Sequence, residues 1–175
     1  MNGKTGGFNR FLWLNMKNKE YPFIKLRKFK ISDLDRILEV EKSSFSASHA
    51  YSERRFKSLY RAHPDDFIVA GKENKIIGYI IAYSKRGFLE FNSIAVDKNY
   101  RGMGIGSRLM NFVLEKFKNR GFKKAFLEVI TTDKKVISFY EKRGFQIKKT
   151  LKGFYKDGAS AYSCLLYTSP SPRDS

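Results

Sequence analysis

Residues 92–117 constrain the fold more than any other part of the chain. They read as a strand, Asn-Ser-Ile-Ala-Val-Asp, then Arg101-Gly102-Met103-Gly104-Ile105-Gly106, then a segment of helical spacing, Ser-Arg-Leu-Met-Asn-Phe-Val-Leu-Glu-Lys-Phe. Three glycines in six residues remove the Cβ atoms that would hold other groups away from the backbone. A helix that opens from such a loop presents unpaired N–H groups and the positive end of its dipole. Together these make an anion site that fits a pyrophosphate. Two common phosphate loops are excluded. No Gly-Lys-Ser/Thr closes the run, as a P-loop would require. The G-x-G-x-G spacing also fails the dinucleotide pattern G-x-G-x-x-G.

The flanking pattern predicts an α/β fold with a mixed, mostly antiparallel central sheet flanked by helices. Residues 24–27 read as a first strand. Ser32 caps a helix, with Asp35 three residues on. Leu34, Ile37, Leu38, Glu41 and Phe45 then follow helical spacing. Ser52 caps a second helix carrying Phe56, Leu59 and Tyr60, and residues 63–66 (His-Pro-Asp-Asp) break it. Residues 67–71, 75–84 and 88–96 read as antiparallel strands joined by turns at 72–74 and 85–87. Ile105, Leu109, Phe112, Val113 and Phe117 give the long helix one apolar face, and Gly121 ends it. Residues 125–130 form a strand, 133–143 a helix stopped by Gly144, and 145–151 with 160–166 a closing strand pair. Strands that are first antiparallel and then linked through helices specify the mixed sheet.

A chain of 175 residues suits one domain, here residues 23–166. Residues 1–22 are expected to be a flexible basic extension. Residues 167–175 (Tyr-Thr-Ser-Pro-Ser-Pro-Arg-Asp-Ser) are expected to be a disordered tail, appended or mis-joined to the domain. One cysteine, Cys164, rules out an internal disulfide framework and suits a reducing compartment. No apolar run reaches membrane-spanning length and no secretory signal opens the chain, so a cytoplasmic protein with no membrane role is expected. The formal charge of +18 attracts anions, including coenzymes, acidic peptides and, non-specifically, RNA or ribosomes. The lysines are spread along the chain without a recognition motif, so no specific nucleic acid partner is expected.

The loop with Arg-x-x-Gly-x-Gly after a strand resembles the acetyl-coenzyme A loop of the GCN5-related N-acetyltransferases (GNAT). Residues 127–145, Leu-Glu-Val-Ile to Tyr-Glu-Lys-Arg-Gly-Phe, resemble the second half of the same core. Residues 151–162 resemble the end of RimI-type N-terminal acetyltransferases, whose pattern is Tyr-Tyr, a spacer, then Asp-Gly-Glu-Asp-Ala-Tyr. The likeness covers residues 24–166. It implies the GNAT fold, acetyl-coenzyme A as acetyl donor with no metal, and a protein or peptide N-terminus as acceptor. A small-amine acetyltransferase of polyamine or antibiotic type, and a catalytically silent coenzyme- or peptide-binding module, are the alternatives on this fold.

The resemblance also assigns residues. The amides of Arg101, Gly102, Met103, Gly104, Ile105 and Gly106 would hold the pyrophosphate, and the backbone of Ile94, Ala95 and Val96 would run beside the pantetheine arm. Glu128 matches the proton acceptor of RimI-like enzymes. It lies mid-strand on the face of Phe126 and Ile130, where a carboxylate is costly unless paired or used. Glu90, on the strand leading into the loop, is the second candidate base, with a solvated carboxylate as its plain reading. Tyr140, in Tyr-x-x-x-Gly-Phe, matches the acid that serves the departing thiolate. Asp133 stands where the family has an asparagine that contacts pantetheine, and otherwise caps the helix. Phe45 would wall the pocket for the N-terminal side chain, or belong to the core. Phe154 and Tyr155 replace the Tyr-Tyr pair of the peptide site. Asp157 and Gly158 are kept, while Ala159 and Ser160 replace the acidic pair. His49 and His63 read as isolated, with no ligand spacing for a metal. Cys164 reads as buried filler.

Overall fold

The computed structural model describes residues 23–167. The extension at 1–22 and the tail from 168 onward lie outside the described residues. Tyr167, the first residue of that tail, is the last residue of the final strand. Seven strands form one sheet: β1 (Ile24–Lys28), β2 (Phe67–Lys72), β3 (Lys75–Lys85), β4 (Phe88–Val96), β5 (Lys124–Ile130), β6 (Gln146–Leu151) and β7 (Ala161–Tyr167), in the order β1-β2-β3-β4-β5-β7-β6. The helices are α1 (Leu34–Ser44), α2 (Glu53–Ala62), α3 (Ile105–Asn119) and α4 (Lys134–Glu141). Every strand pair is antiparallel except β4 with β5. That exception follows from the connection, since a helix between two neighbouring strands returns the chain in the same direction. Among the described residues no helix is long and apolar enough to cross a membrane.

The sheet separates two cores. On one face α3 and α4 pack against Ile80, Leu89, Phe91, Leu127 and Val129. On the other, α1 and α2 pack against Phe67, Val69, Tyr79 and Ile81. The local structure departs from the sequence pattern in two places. The first helix does not start at Ser32: residues Ile31–Asp33 form a 3-10 turn and α1 begins at Leu34. Asp33 outcompetes Ser32 because its carboxylate accepts the Lys30 N–H at 2.8 Å and the Arg27 guanidinium at 2.7 and 2.8 Å. Phe112 leaves the expected apolar face of α3 and is 41% exposed, while Met110 and Leu114 are buried. The helix is gripped over a wider arc than the narrow stripe that included Phe112.

Two irregularities position the site. First, β4 and β5 pair only through Leu89–Ala125, Glu90–Phe126 and Phe91–Leu127. Beyond this point β4 stays with β3 and β5 stays with β7, so the sheet opens between them. Second, β4 carries a bulge. Ser93 pairs with Ile81 and Phe91 with Ala82, leaving Asn92 as the extra residue. Asn92 and Ser93 consequently both address the α1/α2 face, where they meet tyrosines of that side. Phe91 and Ile94 both pack on the α3/α4 side.

Candidate active site

On the α3/α4 face, the mouth of the opening is the glycine loop. Gly102 and Gly104 both have φ of +76°, and, chain neighbours aside, no atom of the described residues lies within 4 Å of where a Cβ on either would stand. That backbone conformation suits glycine, and the space in front of it is open. The first in-helix bond of α3 runs from the Arg108 N–H to the Gly104 carbonyl at 3.0 Å. The amides of Ile105, Gly106 and Ser107 precede it and have no acceptor within the helix. The helix start lies beside α4, and a Cβ at Gly106 would make an ordinary contact with Phe139 Cζ at 3.5 Å. These features fit the diphosphate of a coenzyme. Ile105 is buried and Met103 packs on the core, so these two offer only backbone to the mouth. The Arg101 side chain is exposed but bonded to its neighbours. Its Nε donates to the Val96 carbonyl at 3.0 Å and an Nη to Ser44 Oγ at 3.0 Å, tying the loop to β4 and α1.

Ile94 and Val96 lie along the edge of β4 that β5 has left, with side chains against the α3/α4 core. Ala95 is buried on the opposite face. Asp133 caps α4 by accepting the Val136 N–H at 3.1 Å. Tyr140 is buried on α4, with its ring edge-on to Phe145 at 5.8 Å. Burial pushes its phenol far above the ordinary value, so the group remains a proton donor throughout the working pH range. Cys164 is buried in the same core, its thiol pushed up to about 11 by desolvation.

The other face of the opening is polar. Glu128 is half-buried on β5, opposite in direction to the buried Leu127 and Val129. Desolvation raises its carboxyl above the ordinary glutamate value, and the like charge of Glu90 adds to this. Glu90 is buried and paired with Lys85 Nζ at 3.0 Å. Glu128 makes no ion pair among the described residues, so of the two carboxylates it is the one not held by a cation. Tyr155 comes from the β6–β7 loop and interacts electrostatically with both Glu128 and Tyr140. Desolvation pushes its phenol up to about 12. Phe154 stands perpendicular to Tyr155 at 5.1 Å and is half-exposed. Phe45 ends α1 and packs, partly buried, on the α1/α2 core.

Several polar residues of this face were not among the sequence candidates. His49, read as isolated, packs on Tyr155 with centroids 4.6 Å apart and meets Asp157 at 2.9 Å. Ser48 donates to the same carboxylate at 3.1 Å. The loop after α1 is thereby latched to the β6–β7 loop. Glu41 is 1% exposed and has no cationic partner among the described residues. It accepts the Tyr51 N–H at 2.7 Å and the Tyr79 hydroxyl. Tyr79 continues to Ser93 at 2.9 Å, and the Tyr51 hydroxyl donates to Asn92 Oδ1 at 3.0 Å. Asn92 in turn donates to the Tyr83 hydroxyl at 3.2 Å. One signal pointed here: a glutamate at a position of α1 that helical spacing turns to the core.

The acetyltransferase (GNAT) family description fits residues 33–145. An N-alpha-acetyltransferase of Sulfurisphaera tokodaii is 28% identical over 159 residues, covering 83% of this chain and 92% of that protein. N-alpha-acetyltransferase 30 of Schizosaccharomyces pombe is 31% identical over 127 residues, covering 69% and 83%. The crystal structure of Ard1 from Thermoplasma volcanium superposes with a TM-score of 0.79 at 26% identity, over 85% of this chain and 99% of that one.

Proposed function

The chain belongs to the acetyltransferase (GNAT) family and is an acetyl-coenzyme A-dependent N-acetyltransferase; we propose that its acceptor is the α-amine at the N-terminus of a protein or peptide. The observation that carries this reading is the opening between β4 and β5. It joins an anion-binding mouth on one face to a carboxylate-lined floor on the other, with Glu128 facing one side and Tyr140 packed on the other. The names of the relatives, N-alpha-acetyltransferases among them, support the same acceptor.

When bound, acetyl-coenzyme A supplies an acetyl thioester that is already activated, so the chain needs no covalent nucleophile. The residues of the loop hold its diphosphate through the free amides of Ile105, Gly106 and Ser107. Glu128 takes the proton of the incoming amine, directly or through one water. An α-amine has a pKa of about 7.7–8.0 against about 10.4 for lysine, so a carboxylate of raised pKa suffices for the first and is poorly matched to the second. Tyr140 keeps its proton and donates a hydrogen bond where the thiolate departs. The like charge of Glu90 helps to keep Glu128 basic, and Lys85, paired with Glu90, tempers that effect. Tyr155, Phe154 and Phe45 line the acceptor side. The excess of 35 Lys+Arg over 17 Asp+Glu supports action in the cytoplasm beside ribosomal RNA, where new N-termini emerge.

The test is incubation with acetyl-coenzyme A and a peptide library of varied first residues, with the acetyl group mapped by mass spectrometry. The expected product carries it on the α-amine. Acetyl groups found only on lysine side chains, or only on polyamines offered in parallel, would overturn this acceptor assignment.

A further inference from the structure

Arg143 is an unusual cation. It follows α4, and its guanidinium is half-buried between α4 and the first turn of α3. One Nη donates to the Phe139 carbonyl at 2.7 Å and the other to Ser107 Oγ. The guanidinium lies 3.6 Å above the Phe139 ring, and the Phe139 ring lies against Gly106. Both hydrogen-bond partners are neutral, and Nε is buried with no partner. Arg143 makes no ion pair among the described residues. Drawing a guanidinium partly out of water without a counter-charge is costly, and a bound anion would offset that cost.

We propose that Arg143 is a phosphate-binding residue, which receives a phosphate group of the coenzyme beside Ser107 at the head of α3. The inference rests on the coenzyme occupying the glycine loop. Ser107 is the third residue of α3, within the turn whose amides lack helical acceptors. A phosphate drawn to those amides stands next to the guanidinium and supplies the missing negative charge. Arginine suits this place because its planar fork can keep one arm on Ser107 while the rest addresses a phosphate oxygen. The Phe139 ring holds the fork in position before the ligand arrives.

The test is titration calorimetry of acetyl-coenzyme A and of its dephospho form, which lacks the 3′-phosphate, into wild type, Arg143→Met and Arg143→Lys, with melting curves of each free protein. Arg143→Met is expected to bind acetyl-coenzyme A at least tenfold more weakly, while its free melting temperature stays level or rises because an unpaired buried charge is gone. Arg143→Lys is expected to recover part of the affinity. If the diphosphate is the partner, the variant loses the same factor for both ligands. If the 3′-phosphate is the partner, wild type binds the dephospho form as weakly as the variant does, and the variant no longer distinguishes the two. Undiminished affinity of Arg143→Met for both ligands overturns the assignment of Arg143 alone. A free melting temperature that falls with no specific affinity loss at a temperature where the variant is folded overturns it too, in favour of a packing role. Wild type that binds neither ligand overturns the coenzyme reading together with this inference.

Discussion

The two faces of the open sheet are built by different means. The coenzyme face comes from one continuous piece of chain: the end of β4, the glycine loop and the start of α3. Its key groups are backbone amides, and its walls are apolar. The acceptor face gathers side chains from six separate places: Glu41, Tyr51, Tyr79, Asn92, Glu128 and Tyr155. Its key groups are carboxylates and phenols whose proton affinities burial has raised. A site made of backbone is set by local conformation and tolerates few residue types. A site made of distant side chains depends on the register of the sheet and on two loops held together by His49, Ser48 and Asp157.

The contrast predicts that substitutions on the two faces separate into binding and chemistry. The largest effect belongs to Gly104→Asp. Forcing a side chain into a left-handed conformation costs about 1–2 kcal/mol, and the new carboxylate points into the space meant for phosphate. Coenzyme affinity is expected to fall by about 10²-fold or more by calorimetry, with the melting temperature of the free protein lowered only slightly. Unchanged affinity would dissolve the coenzyme face as described. Glu128→Gln comes next, with turnover down on the order of 10²-fold, the scale for loss of a general base, and coenzyme affinity kept. Because burial raises the Glu128 carboxyl, wild-type activity is expected to decline on acidification sooner than an ordinary glutamate would dictate. Raising the pH should partly restore Glu128→Gln, since the α-amine is then neutral without help. A normal rate here combined with an inactive Glu90→Gln would transfer the role to Glu90.

Tyr140→Phe is expected to cost about tenfold in turnover, with no rescue at high pH and a smaller deficit at low pH, where solvent protons can serve the thiolate. Rescue by alkali would detach Tyr140 from the leaving group. His49→Ala is expected to raise the peptide KM a few-fold and leave the coenzyme KM alone, because it frees the latch rather than the mouth. Equal changes in both KM values would erase the division between faces. The smallest effect is on stability. Burial raises the Glu41 carboxyl, so the folded chain binds more protons there than the unfolded chain does. Its contribution is most favourable below the ordinary glutamate range and is lost as pH rises through the raised value. Glu41→Gln should therefore remove a downward slope in stability across that window, seen as a difference between denaturant curves of the two proteins from about pH 4.5 to neutrality. Parallel curves would mean that Glu41 is no more burdened folded than unfolded.

The same contrast decides what was legible in the sequence. The glycine loop, the strand before it and the helix after it are readable because every constraint lies within a few residues. Glu128 is readable because strand parity puts it beside Phe126 and Ile130, away from the core. Whether Glu128 or Glu90 is free was not readable, since that depends on Lys85 across a hairpin. His49 looked isolated because Asp157 is more than a hundred positions away in the chain. The sequence carries no sign that the Arg101 side chain ties the glycine loop to Ser44, which lies 57 positions away in the chain. Phe112 looked like core because spacing marks a stripe and not the arc that neighbours cover.

The bulge in β4 gives that strand something like a reading frame. Leu89 and Phe91 keep one phase, Ile94 and Val96 resume it three positions after Phe91, and the spare residue absorbs the slip. A strand of this kind can lose Asn92 or Ser93 and still keep every apolar residue on its own side, whereas a deletion elsewhere between Leu89 and Val96 turns part of it inside out. Length variation in a lineage of such chains is thus permitted at the one point where it alters the acceptor floor and nothing behind it.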